Sequence, residues 1–223
     1  MPGAGSSDRR DALIAQVEQI RDRLDGANRA REVALPACRR VIRASGSSIR
    51  SVHRGDTDGA RAFADEAETA LREAQEALRP FPAVAHAGFL HDAEKEYVEA
   101  RATAALVRGE DLPSFEALTV EPAAWMKGIA EAASELRRHL LDRLRAGELS
   151  RGEELLGAMD DVYDALLGID FPDALTGGLR RTVDALRAVL ERTRGDVTTT
   201  VLQTRLQRTL ERGVSGEQDQ PVS

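Results

Sequence analysis

Apolar residues recur at helical spacing along most of this 223-residue chain, and no stretch of it reads as a strand. Leu155, Leu156, Met159, Val162, Tyr163, Leu166 and Leu167 follow a clean helical period, and Trp125, Ile129, Ala132, Leu136 and Leu140 form a second stripe. Ala, Leu, Glu and Arg are abundant, while aromatic residues make up only 4%. Strands prefer β-branched and aromatic side chains, so this mixture favours helices throughout. The expectation is an all-α, single-domain protein of about seven helices over residues 8–212, with disordered tails at 1–7 and 213–223.

Breakers set the expected boundaries. The first Arg-rich stretch reads as one long helix or two joined near Gly26, with a kink at Pro36. A second helix follows the turn at Gly55, and a third covers residues 82–107. Pro122 suits the first turn of the next helix, and Ser150 with Glu153 forms a candidate capping box for the one after it. Two further helices are expected at 176–193 and 196–212.

Cys38 is the only cysteine, which excludes an intrachain disulfide and a cysteine-based zinc cage. No apolar run approaches the roughly 20 residues that span a bilayer, and "MPGAGSSDRRD" lacks the apolar core of a signal peptide. A cytoplasmic location is the expectation. The formal charge of −7 argues against indiscriminate nucleic-acid binding but leaves room for a local basic patch. Residues 29–54 hold seven Arg and one Glu, whereas 56–76 hold seven acids and two Arg.

The carboxylates of "HDAEKEYVEARATAAL" are the unusual feature. Asp92, Glu96 and Glu99 share one stripe of a helix, where like charges repel, yet Phe89 and Leu106 flank them on that stripe. The helix beginning at Pro122 carries Gly128, Glu131 and Glu135 beside its apolar stripe. Gly128, one turn before Glu131, lets another backbone or a ligand approach closely. Glu96 and Glu99 at i, i+3 and Glu131 and Glu135 at i, i+4 thus offer two facing pairs on neighbouring helices. Hard oxygen donors of this kind suit Mg²⁺ or Mn²⁺. The bland alternative is a pair of solvated acidic faces, since 38 acids guarantee some such spacings.

These residues have a familiar order. "EYVEA", "VEPAAWMKGIAEAASELRR", "YDALLGIDFP" and "LERTRGD" resemble, in order and spacing, the translin and Trax (translin-associated factor X) family, and "SVHRGD" fits the same scheme more loosely. The similarity covers residues 15–200. It implies a seven-helix fold that assembles into hollow, octamer-like shells, here as a homo-oligomer, and binds single-stranded RNA and DNA. The Trax branch is a Mg²⁺-dependent endoribonuclease using four acids. These fall on Glu96, Glu99, Glu131 and Glu135, which the resemblance makes both metal ligands and catalytic residues. Trax has Asp where this chain has Glu131, one methylene longer.

Arg39, Arg40 and Arg43 are candidates for phosphate contacts, with Arg137 and Arg138 beside the acidic stripe. For the first three, ion pairing with the acids of residues 56–76 is an equal alternative. His86 resembles a histidine in the family's nucleic-acid-contacting segment. With so few rings, affinity is expected to be mostly electrostatic. Competing readings are a translin-like binding protein without catalysis, an all-α metal-dependent nucleoside triphosphate pyrophosphohydrolase and an inert helical scaffold. The pyrophosphohydrolases pair E-x-x-E with a second acidic pair at i, i+3, and Ser134 weakens that match. A di-iron bundle lacks its Glu-x-x-His motif.

Overall fold

The computed structural model describes residues 4–217, with side chains over 8–212. Six long helices carry the structure: α1 (Ala4–His53), α2 (Thr57–Leu78), α4 (Phe89–Arg108), α6 (Pro122–Arg145), α7 (Leu149–Leu167) and α9 (Leu179–Glu217). Three single turns, α3 (Pro82–Ala85), α5 (Phe115–Leu118) and α8 (Asp173–Thr176), lie in the connections. The described residues contain no strand, so the protein is all-α. Residues 1–3 and 218–223 of the expected tails lie outside the described residues, and helical backbone reaches Ala4 and Glu217.

Three boundaries differ from the sequence reading. The first helix, read as one or as two, is single and runs through both Gly26 and Pro36. Proline there removes the bond to the Glu32 carbonyl, and both residues lie on the exposed face of the helix, where that loss costs least. The helix expected at 82–107 is divided, because Gly88 adopts φ +98, a conformation that glycine alone takes readily. The two C-terminal helices are one, continuing through Gly195. Finally, α7 begins after Glu148 and has no side-chain cap, so Ser150 and Glu153 form no capping box.

Packing is built on small residues. Ala34, Ala37, Val41 and Ala44 of α1 and Ala67, Ala70, Leu71 and Ala74 of α2 share a buried cluster with α4 and α6. A second cluster joins Leu136, Leu140 and Leu144 of α6 to Leu155 and Met159 of α7 and Leu190 and Val197 of α9. The long α6 therefore runs through both halves of the core. Cys38 is buried in the first half, and burial with the charge of Glu94 pushes its thiol up to about 11, so it stays inert.

The link from α4 to α6 is pinned from several sides. Buried Glu94 accepts a bond from Gln75 Nε2 at 2.9 Å and one from the Glu121 backbone N–H at 3.3 Å. Gln75 also donates to the Thr119 carbonyl at 2.8 Å, and Trp125 Nε1 donates to the Pro113 carbonyl at 2.8 Å. Trp125 is thus a partly buried anchor, while Ile129, Ala132, Leu136 and Leu140 of its stripe are fully buried.

Where α4 and α6 touch, glycine is required. A Cβ at Gly128 would stand 2.6 Å from Val98 Cβ and 2.8 Å from the Lys95 carbonyl oxygen. Neither neighbour is the free end of a flexible side chain. Gly128→Ala should therefore destabilise the fold by about 1–3 kcal/mol, as overpacking does, despite the better helix propensity of alanine. Urea unfolding followed by circular dichroism checks this; a variant as stable as the wild type would mean that α4 and α6 are not in this contact.

A carboxylate centre between two helices

The contact at Gly128 sets the distance between the acidic edges of α4 and α6. Glu96, Glu99 and Glu131 each offer an oxygen, and these lie within 4.8 Å of one another. All three are partly buried, and no other grouping of three or more such residues that could hold a metal ion is present among the described residues. Three of the four acids singled out in the sequence thus come together. Asp92, on the same stripe, is exposed and stands apart.

The fourth acid, Glu135, has a different partner. Its Oε2 lies 2.9 Å from Nε2 of His53, at the C-terminal end of α1. A carboxylate only accepts, so the imidazole Nε2 donates. The His53 side chain is 3% exposed, against 39% for Glu135, so a buried ring supports a half-exposed carboxylate. That bond, working against burial, holds Glu135 below the ordinary carboxylate range.

Lys95 is the other group at the centre. Its Nζ lies 2.5 Å from Glu131 Oε2 and 3.0 Å from Glu96 Oε1, joining the two helices through one ammonium. Burial alone would lower its pKa, but the bonds and charges of Glu131 and Glu96 hold it above the usual lysine range. Lys95 and His53 were not singled out from the sequence. Lys95 lies three residues after Asp92 and four before Glu99, on the edge of the acidic stripe, where its spacing already placed it beside the acids. His53 is 82 residues from Glu135, and only "SVHRGD" within the family resemblance pointed to its neighbourhood.

One positive charge does not balance three carboxylates. Burial, then the charges of Glu131 and Glu96, push Glu99 up to about 8, and Lys95 opposes them. The same side-chain type is thus pushed towards its neutral form at Glu99, by burial and the neighbouring acids, and towards its ionised form at Glu135, by the His53 donor. The arrangement fits a divalent ion: three hard oxygen donors converge with uncompensated negative charge.

The candidate nucleic-acid residues are dispersed. Arg39 and Arg43 are exposed on α1, whereas Arg40 pairs with Glu73 of α2, as the ion-pairing alternative held. Arg137 donates to Asp196 at 2.8 Å and to Thr193 Oγ1 at 3.0 Å, which ties α6 to α9. Arg138 is exposed, and its charge contributes to lowering Glu135. His86 is exposed at the end of α3. His91 is half-buried; burial, then Lys127, lowers its pKa.

The raised pKa of Glu99 has a definite consequence for stability. The folded state keeps a proton that the unfolded chain releases near 4.5, so the contribution of Glu99 to stability falls as pH rises from about 4.5 to about 8. Urea midpoints measured over that range in the presence of chelator should show this decline. Glu99→Gln, neutral throughout, should flatten it; an unchanged slope would mean that Glu99 is not crowded by its neighbours.

No family model matches the chain. An uncharacterized protein of Methanocaldococcus jannaschii is 28% identical over 187 residues, covering 82% of this chain and 81% of that protein. Among solved structures, AfC3PO in complex with duplex RNA is 34% identical with a TM-score of 0.77, covering 84% of this chain and 97% of its own. AfC3PO in a separate crystal structure is also 34% identical, with a TM-score of 0.78 and coverage of 84% and 98%. Apo-NeC3PO, at 20% identity, TM-score 0.73 and coverage of 82% and 96%, shares the fold. With a third of its residues identical across nearly the whole of AfC3PO, and with the helices that carry the carboxylates arranged as described, the chain belongs to the translin/Trax family of C3PO proteins.

Proposed function

We propose that this protein is a Trax-like, Mg²⁺-dependent endoribonuclease that binds and cleaves single-stranded RNA within a homo-oligomeric shell. The observation that carries this reading is the convergence of Glu96, Glu99 and Glu131 within 4.8 Å, with a single ammonium to offset them. These three would hold Mg²⁺ (or Mn²⁺), which when bound polarises a phosphodiester and acidifies a water. Glu135, held ionised by His53 one turn beyond Glu131, accepts a bond from the attacking water and orients it. Arg39 and Arg43, exposed and with no acidic partner among the described residues, are the better candidates for phosphate contacts; Arg40 and Arg137 already hold α2 and α9.

That AfC3PO has a structure in complex with duplex RNA supports RNA as the ligand class, and both strand forms belong in the assay. Support for assembly comes from the ends of the long helices. Residues 8–25 of α1 are all exposed, including Leu13, Ile14, Val17, Ile20 and Leu24, and Leu202, Leu206 and Leu210 of α9 are exposed as well. Apolar stripes of this kind gain stability when a second copy covers them. Light scattering should accordingly give a mass several times that of one chain; a monomer would remove the shell from the proposal.

A second reading has its own observation. Lys95 already bridges Glu96 and Glu131, so an RNA-binding protein without catalysis could keep the same cluster as structure. One experiment separates the two. Short single-stranded and duplex RNAs are incubated with Mg²⁺ or with chelator, and binding and cleavage are read on the same samples. Glu131→Gln and Glu135→Gln should each lower cleavage by about 100-fold or more while leaving RNA bound. Metal-independent binding with no cleavage by the wild type would establish the binding-only reading, and cleavage that survives both changes would reject the assigned acids.

A further inference from the structure

Lys95 is one of only two lysines among the 31 basic residues of the chain. Elsewhere the chain uses Arg for ion pairs, as in Arg40 with Glu73 and Arg137 with Asp196. The guanidinium is a rigid, planar fork, and Arg194 reaches Asp160 and Glu191 only through separate nitrogens of that fork. A lysine ammonium is a compact charge that can sit between two acids from different helices. At Lys95 that is the geometry found: a nitrogen 2.5 Å from Glu131 and 3.0 Å from Glu96, on a side chain 15% exposed.

We propose that Lys95 is the internal counter-ion of the carboxylate centre, and that its ammonium and a divalent cation exchange for the carboxylates of Glu96 and Glu131. This inference rests on reading the centre as a metal site. Two cations cannot share those oxygens without strong repulsion, because at such separations even a screened pair of like charges costs kilocalories. The flexible four-carbon stem of Lys95 allows its release without any movement of α4 or α6. In the metal-free protein the ammonium keeps the two helices together across a cluster that would otherwise repel. It also sets metal affinity below what three carboxylates alone would give. Lys127, whose Nζ donates to the Gly177 carbonyl at 3.1 Å, has no part in this exchange.

The test uses the full chain without RNA and needs no catalytic readout. Mn²⁺ is titrated calorimetrically into the wild type and Lys95→Met, and thermal unfolding is followed with and without the ion. The variant should bind Mn²⁺ about tenfold more tightly, because the competing charge is gone, and should gain more thermal stability from it than the wild type does. Equal affinity overturns the role of Lys95 and leaves the metal site standing; absence of Mn²⁺ binding in both proteins sinks the metal reading together with this one. Should Lys95→Met fail to fold, the wild type labelled with ¹³C at lysine Cε answers the same question. Only Lys95 and Lys127 give side-chain signals, assigned with Lys127→Met. Mg²⁺ should shift the Lys95 signal with the midpoint measured for binding and leave that of Lys127 in place. Saturation with no movement of the Lys95 signal overturns the exchange.

Discussion

At Gly128 the backbone of α6 lies so close to Val98 and the Lys95 carbonyl that no side chain fits between the helices. The acids owe their separation to this contact. Glu131 projects one turn beyond Gly128, while Glu96 and Glu99 lie on either side of the Val98 contact on α4, so close backbones bring their carboxylates together. The pinned link from α4 to α6 reinforces the approach: Glu94 and Gln75 fix residues 119–121, and Trp125 fixes Pro113. Small residues through the first core cluster serve the same end, since alanine interfaces let helix axes come closer than leucine interfaces do.

Closeness creates an electrostatic problem that the protein solves differently at each acid. Glu96 and Glu131 share the Lys95 ammonium, Glu135 takes the His53 imidazole, and Glu99 has no bonded donor and is driven towards its neutral form. Four side chains of identical chemistry are thereby sorted into distinct roles by their surroundings alone. The ionised Glu135 suits the orienting of a water, and the crowded group beside it suits a cation.

Much of this was legible in the sequence because it is local. Helical periodicity, Pro122 at the start of α6 and the i, i+3 pair Glu96 and Glu99 follow from short-range spacing, and Gly128 beside Glu131 marked a close approach before any helix was placed against it. What was not legible is nonlocal or long-stemmed. His53 meets Glu135 only because the C-terminal end of α1 is brought beside α6, and the reach of Lys95 across to Glu131 joins two helices, which spacing within one helix does not reveal. The breakers inside α1 and α9 do not end those helices, for an energetic reason. Proline and glycine each cost a helix a few kilocalories at most, less at a solvent-facing site, and tertiary packing overrides that. Gly26 lies against the Phe81 ring, and Val197, two residues after Gly195, is buried in the second core cluster.

Glu at 131, where the resemblance to Trax implies Asp, also takes on a physical sense. The longer side chain does not carry the carboxylate away from its neighbours, since it stands within 4.8 Å of Glu96 and Glu99. What the extra methylene adds is reach, and one oxygen of Glu131 is taken up by Lys95. A shorter acid on the same backbone would draw back from that ammonium and leave α4 and α6 facing each other with less to hold them across the cluster. Glu131 and Lys95 are therefore best understood as a matched pair, the length of one fitted to the position of the other. A change at either would be felt in the pairing of α4 with α6, where Lys95 is the one cation bonded to Glu131 among the described residues.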